Sequence, residues 1–313
     1  MPILAVPPKT LIRSCLLAMA LAFATTSLQA ATLWIETSPD NLKEDSLIEF
    51  NVGYADDFDL VDLGARTLGN IVFPALIGKG GESSTIKEIA PSYAFVTEST
   101  LKAGSYIAYS SYKPFISAQE GQPKNKYVFT ATHLFNIGAV EDDLVTKPTG
   151  KIPLEIVPET HPLRIFPGSP ATFQVLLDGK PLPKAQVLGE PKGYNPPNSP
   201  TKARAYYSPT DDQGKIRFTP LKPGLWILSV RTSIPNPNKS DSDNIVYIHN
   251  LTFYVADAAA QAHQPQAAPA GAGEAQPAAD PAQAAQPAAQ PAAPAADPAG
   301  QPAAPAAPAP TGQ

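Results

Sequence analysis

Residues 215–231 read KIRFTPLKPGLWILSVR and show the pattern that decides the fold class. From Leu225 to Arg231, large apolar side chains stand at alternate positions, so Trp226 and Leu228 lie on one face of an extended chain. A period of two residues predicts a half-buried β-strand rather than a helix. A proline- and glycine-containing turn separates this strand from a shorter one at Lys215 to Phe218.

Similar short runs, rich in β-branched and aromatic residues and bounded by turn formers, recur through the chain. They are Leu47 to Val52, Tyr93 to Thr97, Ser105 to Tyr109, Tyr127 to Thr132, Ala171 to Leu177, Ala185 to Leu188, Ala203 to Tyr207 and Ile245 to Val255. Helical periodicity is hard to find between them. Short strands at regular spacing are typical of sandwiches and barrels. The sequence therefore predicts an all-β protein built from two tandem β-sandwich domains.

The domain boundary is placed in the turn-rich stretch EDDLVTKPTG, residues 141–150, after which the strand pattern restarts. The expected domains are an N-terminal β-sandwich at residues 31–145 and a C-terminal one at residues 146–257. Residues 258–313 are almost entirely Ala, Pro, Gln and Gly. Such a segment cannot bury enough apolar surface to offset its ordering entropy, so it is predicted to be a disordered spacer.

The first thirty residues carry the features of a secretory signal peptide. Lys9 and Arg13 precede an apolar run at residues 15–24, and the small residue Ala30 offers a cleavage site. The alternative is an uncleaved membrane anchor, but a spanning helix needs about twenty apolar residues. We therefore expect cleavage near Ala30 and a periplasmic or secreted mature protein.

Cysteine usage and charge exclude several classes of function. Cys15 is the only cysteine and lies in the predicted signal, so the mature chain has no disulfide, thiolate metal site or thiol nucleophile. Export without disulfides is typical of a bacterial periplasmic protein. The formal net charge of -5 provides no basic face for nucleic acid.

The local motifs do not indicate an enzyme. No G-x-S-x-G elbow is present, and Gly78-Lys79-Gly80-Gly81 lacks the spacing of a phosphate-binding loop. Asp211-Asp212-Gln213-Gly214 reads as a hairpin turn rather than a pair of catalytic carboxylates. The acidic residues between Asp56 and Asp62 read as a solvated loop, and Glu141-Asp142-Asp143 as a polar interdomain linker.

Three blocks in the second half carry a family resemblance: PLEIVPETHPLRIFPG, FQVLLDGKPLPKAQV and TDDQGKIRFTPLKPGLWILSVR. Their order and spacing, over residues 151–231, resemble a bacterial exported family of unknown function formerly labelled as a nickel-uptake transporter subunit. The segment from GKPLPKAQV to GLWILSV also resembles the transthyretin-like and carboxypeptidase-regulatory-like modules. These are small β-sandwiches with structural or binding roles.

The nickel-associated resemblance implies handling of nickel or cobalt. Members commonly begin with a pattern like His-x-x-Trp-Leu-Glu-Pro, of which this chain keeps Trp34 and Glu36, whereas Ala31 replaces the histidine and Thr37 the proline. Imidazole is the usual nitrogen ligand for such ions.

The candidate metal ligands are therefore His133, His249 and Glu36, brought together from separate strands. The competing interpretation makes each histidine a structural strand residue. His161, which precedes a proline, is interpreted as a turn residue.

Two functions remain open from the sequence. The first is a non-enzymatic periplasmic binding or accessory protein that assists nickel or cobalt uptake through a membrane transport partner. The second is a structural module of the cell envelope that binds protein or glycan, because aromatic side chains on a sandwich face can stack on sugars or pack on a partner. The tyrosines considered for such a surface are Tyr106, Tyr109, Tyr112, Tyr206 and Tyr207.

Overall fold

The computed structural model describes residues 32–55, 69–79, 83–84, 86–90, 94–194, 204–239 and 241–257. The predicted signal peptide and the Ala/Pro/Gln-rich tail lie outside these residues. The same holds for the acidic segment between Asp56 and Asp62 and for the second half of Gly78-Lys79-Gly80-Gly81.

The described chain is built from β-strands, with single turns of 3-10 helix at Pro39–Asn41, Leu144–Thr146 and Pro162–Arg164. The strands are β1 (Thr32–Thr37), β2 (Glu49–Ala55), β3 (Ile71–Ile77), β4 (Ser83–Ser84), β5 (Ile86–Ala90), β6 (Ala94–Thr97), β7 (Gly104–Ser117), β8 (Asn125–Ile137), β9 (Leu154–Pro158), β10 (Ala171–Leu177), β11 (Lys180–Pro181), β12 (Gln186–Pro191), β13 (Tyr206–Pro209), β14 (Lys215–Phe218), β15 (Gly224–Pro235) and β16 (Asn244–Val255). The all-β prediction is confirmed.

The strands form three sheets. The N-terminal sheet has the order β1-β2-β6-β5, and the C-terminal sheet contains β11, β10 and β14 with β9 paired to β10. Between them lies an eight-stranded sheet of order β13-β12-β15-β16-β8-β7-β3-β4. We call it the shared sheet, because it takes strands from both halves of the chain.

The shared sheet is joined at its centre by parallel pairing of β8 with β16, in register from Asn125 opposite Asn244 to Leu134 opposite Phe253. The flanking pairs β7 with β8 and β15 with β16 are antiparallel. Strands buried on both faces must carry core residues at even and odd positions alike. In β8, Ala131 and Phe135 enter one core while Leu134 enters another.

The two main cores therefore lie on opposite faces of the shared sheet. On one face, residues of the N-terminal sheet such as Ile35 and Phe50 pack against Phe129 and Ile248. On the other, residues of the C-terminal sheet such as Phe173 pack against the β15 and β16 side chains. The expected sandwich-like packing is confirmed. The strands of the two outer sheets fall on either side of the predicted boundary between residues 145 and 146, whereas the shared sheet crosses it.

The linker segment is part of the packed structure. Val145 is buried in the core beneath the C-terminal sheet. Asp142 accepts hydrogen bonds from the backbone N–H groups of Ser105 and Leu144, at 3.0 and 3.1 Å. The interpretation of Glu141-Asp142-Asp143 as a mere polar linker is thus too simple for Asp142, whose carboxylate fixes the chain between the two halves.

Two turns that contain aspartate and glycine, at Asp178-Gly179 and at Asp211 to Gly214, connect their strands differently. Asp178 and Gly179 join β10 to β11 as a hairpin, with Leu177 opposite Lys180. Asp211 to Gly214 does form a turn, closed by a 3.0 Å bond from the Gly214 N–H to the Asp211 carbonyl. It is not a hairpin, because β13 belongs to the shared sheet and β14 to the C-terminal sheet. Turn chemistry is local and does not determine which sheet the next strand joins.

β1 pairs with β2 along one edge, and along its other edge it is held by side chains instead of by a second strand. The carbonyls of Leu33, Ile35 and Thr37 accept hydrogen bonds from the side chains of Asn250, Thr252 and Tyr254, respectively. We call these three bonds the edge ladder. Because unpaired edge carbonyls invite association with other chains, the ladder both caps β1 and ties the N-terminal sheet to β16.

Gly53 is required for the packing of β1 on β2. It lies opposite Trp34, which is fully buried. A Cβ atom at position 53 would lie 2.1 Å from two carbons of the indole ring, where no side chain fits. The absence of a side chain at Gly53 thus makes room for the largest residue of β1.

Replacing Gly53 by alanine should lower the free energy of unfolding by about 1–3 kcal/mol, because the indole must shift within a filled core. Urea denaturation followed by tryptophan fluorescence measures this. Gly69→Ala is the matched control, because a Cβ there meets no atom within 4 Å. Equal stability of the two variants would contradict the packing described.

The shared sheet predicts a single cooperative unfolding transition for the folded part. Two independent sandwiches would unfold separately, whereas loss of either half here removes a central strand from the other half's sheet. Calorimetry should give a van't Hoff enthalpy equal to the calorimetric enthalpy. Two resolved transitions, or stable folding of residues 146–257 alone, would be incompatible with this coupling.

Candidate functional site

His133 lies on the face of the shared sheet that packs against the N-terminal sheet. Its Nδ1 is 2.9 Å from Thr252 Oγ1 and its Nε2 is 3.0 Å from Thr37 Oγ1. Since the Thr252 hydroxyl donates to the Ile35 carbonyl, it accepts from Nδ1–H, which leaves Nε2 to accept from Thr37. Both ring nitrogens are therefore engaged. Complete burial lowers the pKa of His133 to about 3, so the ring is neutral at physiological pH.

His249 lies on the opposite face of the shared sheet. Its two ring nitrogens are 3.0 Å from Thr130 Oγ1 and 3.3 Å from Thr132 Oγ1. Burial lowers its pKa to about 3 as well. His133 on β8 and His249 on β16 lie on opposite faces of the shared sheet. The sheet therefore separates the two rings.

Glu36, near the end of β1, forms an ion pair with Lys192. Lys192 Nζ donates to both carboxylate oxygens at 2.7 Å, and the Glu36 side chain is only 5% exposed. Burial, followed by the negative charge of Glu36, raises the pKa of the neighbouring Tyr254 hydroxyl. That hydroxyl is accordingly a hydrogen-bond donor to the Thr37 carbonyl rather than a phenolate.

The structure does not bring His133, His249 and Glu36 together. The two imidazoles lie on different faces of one sheet, and each is bonded to threonine hydroxyls. No group of three or more His, Cys, Asp or Glu side chains suited to a metal occurs among the described residues. The geometry agrees with the structural interpretation of both strand histidines.

His161 and Ser105 form a hydrogen-bonded pair that resembles the serine–histidine pair of a hydrolase. Its Nε2 lies 3.4 Å from Ser105 Oγ, but its Nδ1 accepts the backbone N–H of Leu163 at 3.2 Å. Nε2 therefore carries the proton and cannot take one from the serine. Burial lowers the pKa of His161, partly countered by Glu141 and Asp142. Its role is to cap the turn that begins at Pro162, as the sequence predicts.

A concavity lies beside the start of β1, on the shared-sheet face that the N-terminal sheet leaves uncovered. We call it the β1 cleft; its volume is about 120 Å³. Thr32 stands at its edge, and its floor is formed by alternate side chains of β12, β15 and β16. The polar residues lining it are Gln186, Glu190, Arg204, Ser229, Arg231 and Asn250.

Asn250, which lines the β1 cleft, has a side-chain oxygen without a hydrogen-bond partner among the described residues. The residue is 1% exposed, and its Nδ2 donates to the Leu33 carbonyl at 2.8 Å. A carbonyl can only accept, so this rung of the edge ladder fixes the orientation of the amide. The Asn250 Oδ1 then has no hydrogen-bond partner among the described residues. A buried acceptor without a partner costs about 1–3 kcal/mol of stability.

The charged residues that line the β1 cleft are Glu190, Arg204 and Arg231. Glu190 and Arg204 form an ion pair with side chains 12% and 25% exposed. Arg231 lies over the ring of Tyr127, with its guanidinium carbon 5.8 Å from the ring centroid. Within the described residues Arg231 forms no ion pair, so its N–H groups can reach a ligand.

An aromatic row continues from Arg231 along the same face of the sheet. Phe115 stacks on Tyr127 with centroids 5.3 Å apart and planes 14° apart, and on Phe129 at 6.0 Å and 11°. Phe115 is 39% exposed, whereas Phe129 is buried. We call Phe115 and Tyr127 the aromatic platform. The platform borders the β1 cleft through Arg231, which lines the cleft and lies over the ring of Tyr127.

Sequence reasoning did not single out these residues as a site. The sequence pattern that could have indicated them is in β16, where the polar residues Asn250 and Thr252 alternate with Leu251 and Phe253. On a half-exposed strand such polar positions face water. On a strand paired at both edges and covered on both faces, they must find specific partners. Of the tyrosines considered earlier, Tyr106 stacks on Phe135 and donates to the Lys102 carbonyl, whereas Tyr207 is 58% exposed.

The fold and site together define a class: an all-β protein with a small polar cleft where the N-terminal sheet meets the shared sheet. In the described parts of the chain, no helix is long and apolar enough to cross a membrane.

The chain belongs to the family of the domain of unknown function DUF4198, which matches residues 28–234. That match crosses the boundary predicted at residues 145 and 146, as the shared sheet does. It supports the unknown-function part of the resemblance seen in the sequence.

Solved structures give only distant likenesses. The D0-D1 domain of Intimin shares 14% sequence identity over 72% of this chain and 99% of its own, with a TM-score of 0.18. A Salmonella alpha-2-macroglobulin reacted with methylamine shares 9% identity over 75% of this chain and 15% of its own, with a TM-score of 0.20. Scores this low carry no argument about function. No match was found among curated proteins.

The buried histidines predict a loss of stability in acid. Their folded pKa of about 3 lies below the ordinary 6.5, so the unfolded chain binds more protons between these values. The unfolding free energy should fall as the pH drops below about 6.5, by up to about 1.4 kcal/mol per pH unit for each histidine. Urea denaturation across pH 4–8 measures the slope. Imidazole NMR signals of His133 and His249 that titrate near 6.5 in the folded protein would contradict this.

Thr252→Val tests the middle rung of the edge ladder. The change leaves both the Ile35 carbonyl and the His133 Nδ1–H without their partner, which should cost about 1–3 kcal/mol of unfolding free energy. Thr252→Ser, which keeps the hydroxyl, is the control and should lose much less. If the valine variant proved as stable as the serine variant in urea denaturation, the ladder would not contribute to stability.

Proposed function

We propose that this chain is a non-enzymatic binding or accessory protein of the bacterial periplasm and that the β1 cleft is its ligand site. The observation that carries the proposal is a cleft lined by hydrogen-bonding side chains, among them Ser229 and Arg231. Arg231 has no ion-pair partner among the described residues. A ligand with hydrogen-bonding groups gives these side chains partners.

Two further features support binding rather than catalysis. The imidazoles of His133 and His249 are neutral and engaged by threonines on both ring nitrogens. The Glu190 carboxylate in the cleft is paired with Arg204. What the cleft offers a ligand is a set of hydrogen-bonding side chains, among them Gln186, Ser229 and Arg231, which suits recognition.

The periplasmic location rests on the predicted signal at residues 1–30 and on the absence of cysteine from the mature sequence. The signal is removed near Ala30 in this proposal, and the Ala/Pro/Gln-rich segment acts as a spacer. A membrane transport protein of the envelope is the proposed partner that receives the ligand.

The finer alternative is assistance in nickel or cobalt uptake, for which the sequence resemblance is the only support. A second candidate is an envelope interaction module that binds a protein or glycan. It is favoured by the exposed aromatic platform, since exposed apolar rings on a folded surface mark contact sites.

Thermal unfolding of the mature chain, residues 31–313, tests ligand binding. The probes are neutral disaccharides, amino acids, and nickel or cobalt chloride, each titrated separately. An organic probe that occupies the cleft should raise the unfolding midpoint, and the rise should grow with the logarithm of the probe concentration above the Kd. Ser229→Trp, which fills the cleft, should abolish the rise.

Ser169→Trp serves as the matched control, because Ser169 lies on an exposed turn outside the cleft. It should leave the midpoint shift intact. Retention of the shift in Ser229→Trp would exclude the β1 cleft as the site. A saturable rise with nickel or cobalt alone would instead favour the metal-uptake alternative.

A further inference from the structure

We infer that the ligand of the β1 cleft is a small organic carboxylate, held through its charged group by Arg231. This inference rests on the proposed function, which it makes specific by naming the class of ligand. Three observations carry it: the unpaired charge of Arg231, the hydrogen-bonding side chains beside it, and the partly exposed Leu188 further along the cleft.

The lining of the β1 cleft contains one uncompensated positive charge. Glu190 and Arg204 neutralise each other in an ion pair. Arg231 has no ion-pair partner among the described residues, although the chain as a whole has a formal net charge of -5. A ligand with a negative charge completes the balance, whereas a cation is repelled and a neutral molecule leaves the guanidinium uncompensated.

Arg231 is in a position to bind an anion. Its side chain lines the cleft and is partly exposed. The ring of Tyr127, 5.8 Å from the guanidinium carbon, attracts the positive charge but offers the N–H groups no acceptor oxygen. The planar fork of N–H donors therefore remains available, and its geometry matches the two oxygens of a carboxylate.

Two further hydrogen-bonding side chains lie beside Arg231 on the same face of the shared sheet. Ser229 is two residues before Arg231 in β15, so both side chains point into the cleft. Val187 of β12 pairs with Val230, and the antiparallel register places Gln186 next to Arg231. A carboxylate accepts up to about four hydrogen bonds. The guanidinium fork supplies two of them, and the serine hydroxyl and glutamine amide supply others.

The centre of the cleft suits a short apolar body. Leu188 pairs with Ser229 across β12 and β15, and its partly exposed side chain lines the cleft next to the position of the charged group. Ile227 continues the apolar lining towards the far end. The volume of about 120 Å³ limits the ligand to a small molecule. An organic acid with a short hydrocarbon part satisfies both ends of this arrangement.

A second concavity, of about 400 Å³, meets the cleft at Arg231 and Gln186, which line both. Its lining includes Lys184 and contains no acidic residue. Positive charge on the walls of a concave surface raises the local concentration of anions. The approach to Arg231 from this side therefore favours a negatively charged ligand as well.

Isothermal titration calorimetry of the mature chain at neutral pH and low salt tests the inference. The probes are three carboxylates and their amides: butyrate with butyramide, succinate with succinamide, and benzoate with benzamide. The members of each pair have nearly the same shape and differ in charge. At least one carboxylate should bind saturably, and its amide should bind about tenfold or more weakly.

Variants of Arg231 locate the charged group of the ligand. Arg231→Gln should weaken binding of that carboxylate about tenfold or more, and Arg231→Lys, which keeps the charge without the planar fork, should recover only part of the loss. Arg217→Gln is the matched control, because Arg217 is an exposed arginine of β14 outside both concavities. It removes the same charge and should leave the affinity unchanged. Circular dichroism and the unliganded unfolding midpoint confirm that each variant is folded.

The outcomes separate this inference from the function on which it rests. If a neutral disaccharide binds in a Ser229→Trp-sensitive way while all three carboxylates are inert, the carboxylate is overturned and the binding function stands. Equal affinity for a carboxylate and its amide, or equal affinity of the parent and Arg231→Gln, overturns recognition by Arg231. Inorganic phosphate is titrated too; binding of phosphate without binding of any carboxylate overturns the ligand class. If every probe is inert, both proposals fail.

Discussion

The parallel pairing of β8 with β16 is the constraint on which the remaining structure depends. It joins strands about 120 residues apart in sequence and so makes one sheet out of two halves. Both strands then have neighbours at each edge and a sheet over each face. Every side chain they carry must be apolar or have a defined partner, which explains the threonines, histidines and asparagine of the sheet centre.

The polar groups at this centre act as connectors between layers. Thr252 accepts from His133 and donates to β1, so one hydroxyl links three strands. Asn250 follows the same logic with its Nδ2, which leaves its Oδ1 without a partner among the described residues. This unpaired acceptor thus arises from the requirements of the edge ladder. Asn250 also lines the β1 cleft, so a change at this residue would affect both the ladder and the cleft.

Local sequence patterns predict the strands well because alternation is a property of a few neighbouring residues. Ala171–Leu177 and Lys215–Phe218 have the predicted bounds, and the Asp178-Gly179 hairpin follows from turn chemistry. Pairing between strands is not local. The turn-rich stretch after residue 140 suggested a division of the chain, but nothing in it indicates that β16 returns to lie beside β8.

The site was less accessible to sequence reasoning for a related physical reason. Histidines were chosen as candidates for their chemistry, but burial and two threonine partners each make His133 and His249 part of the sheet. Asn250 and Arg231 look ordinary in sequence, because an asparagine in a strand reads as a surface position. Their importance depends on which edge and which face are left open, and that is set by the assembly of the three sheets.

The position of β16 near the end of the folded region also bears on the order in which the protein can be completed. Until residues 244–255 have emerged, β8 has an open edge along most of its length, and neither face of the central sheet is finished. The chain therefore cannot settle into its final form while only its first half has been synthesised. Under the proposed export through a membrane in extended form, such late closure would keep the chain competent for passage until its last strand arrives.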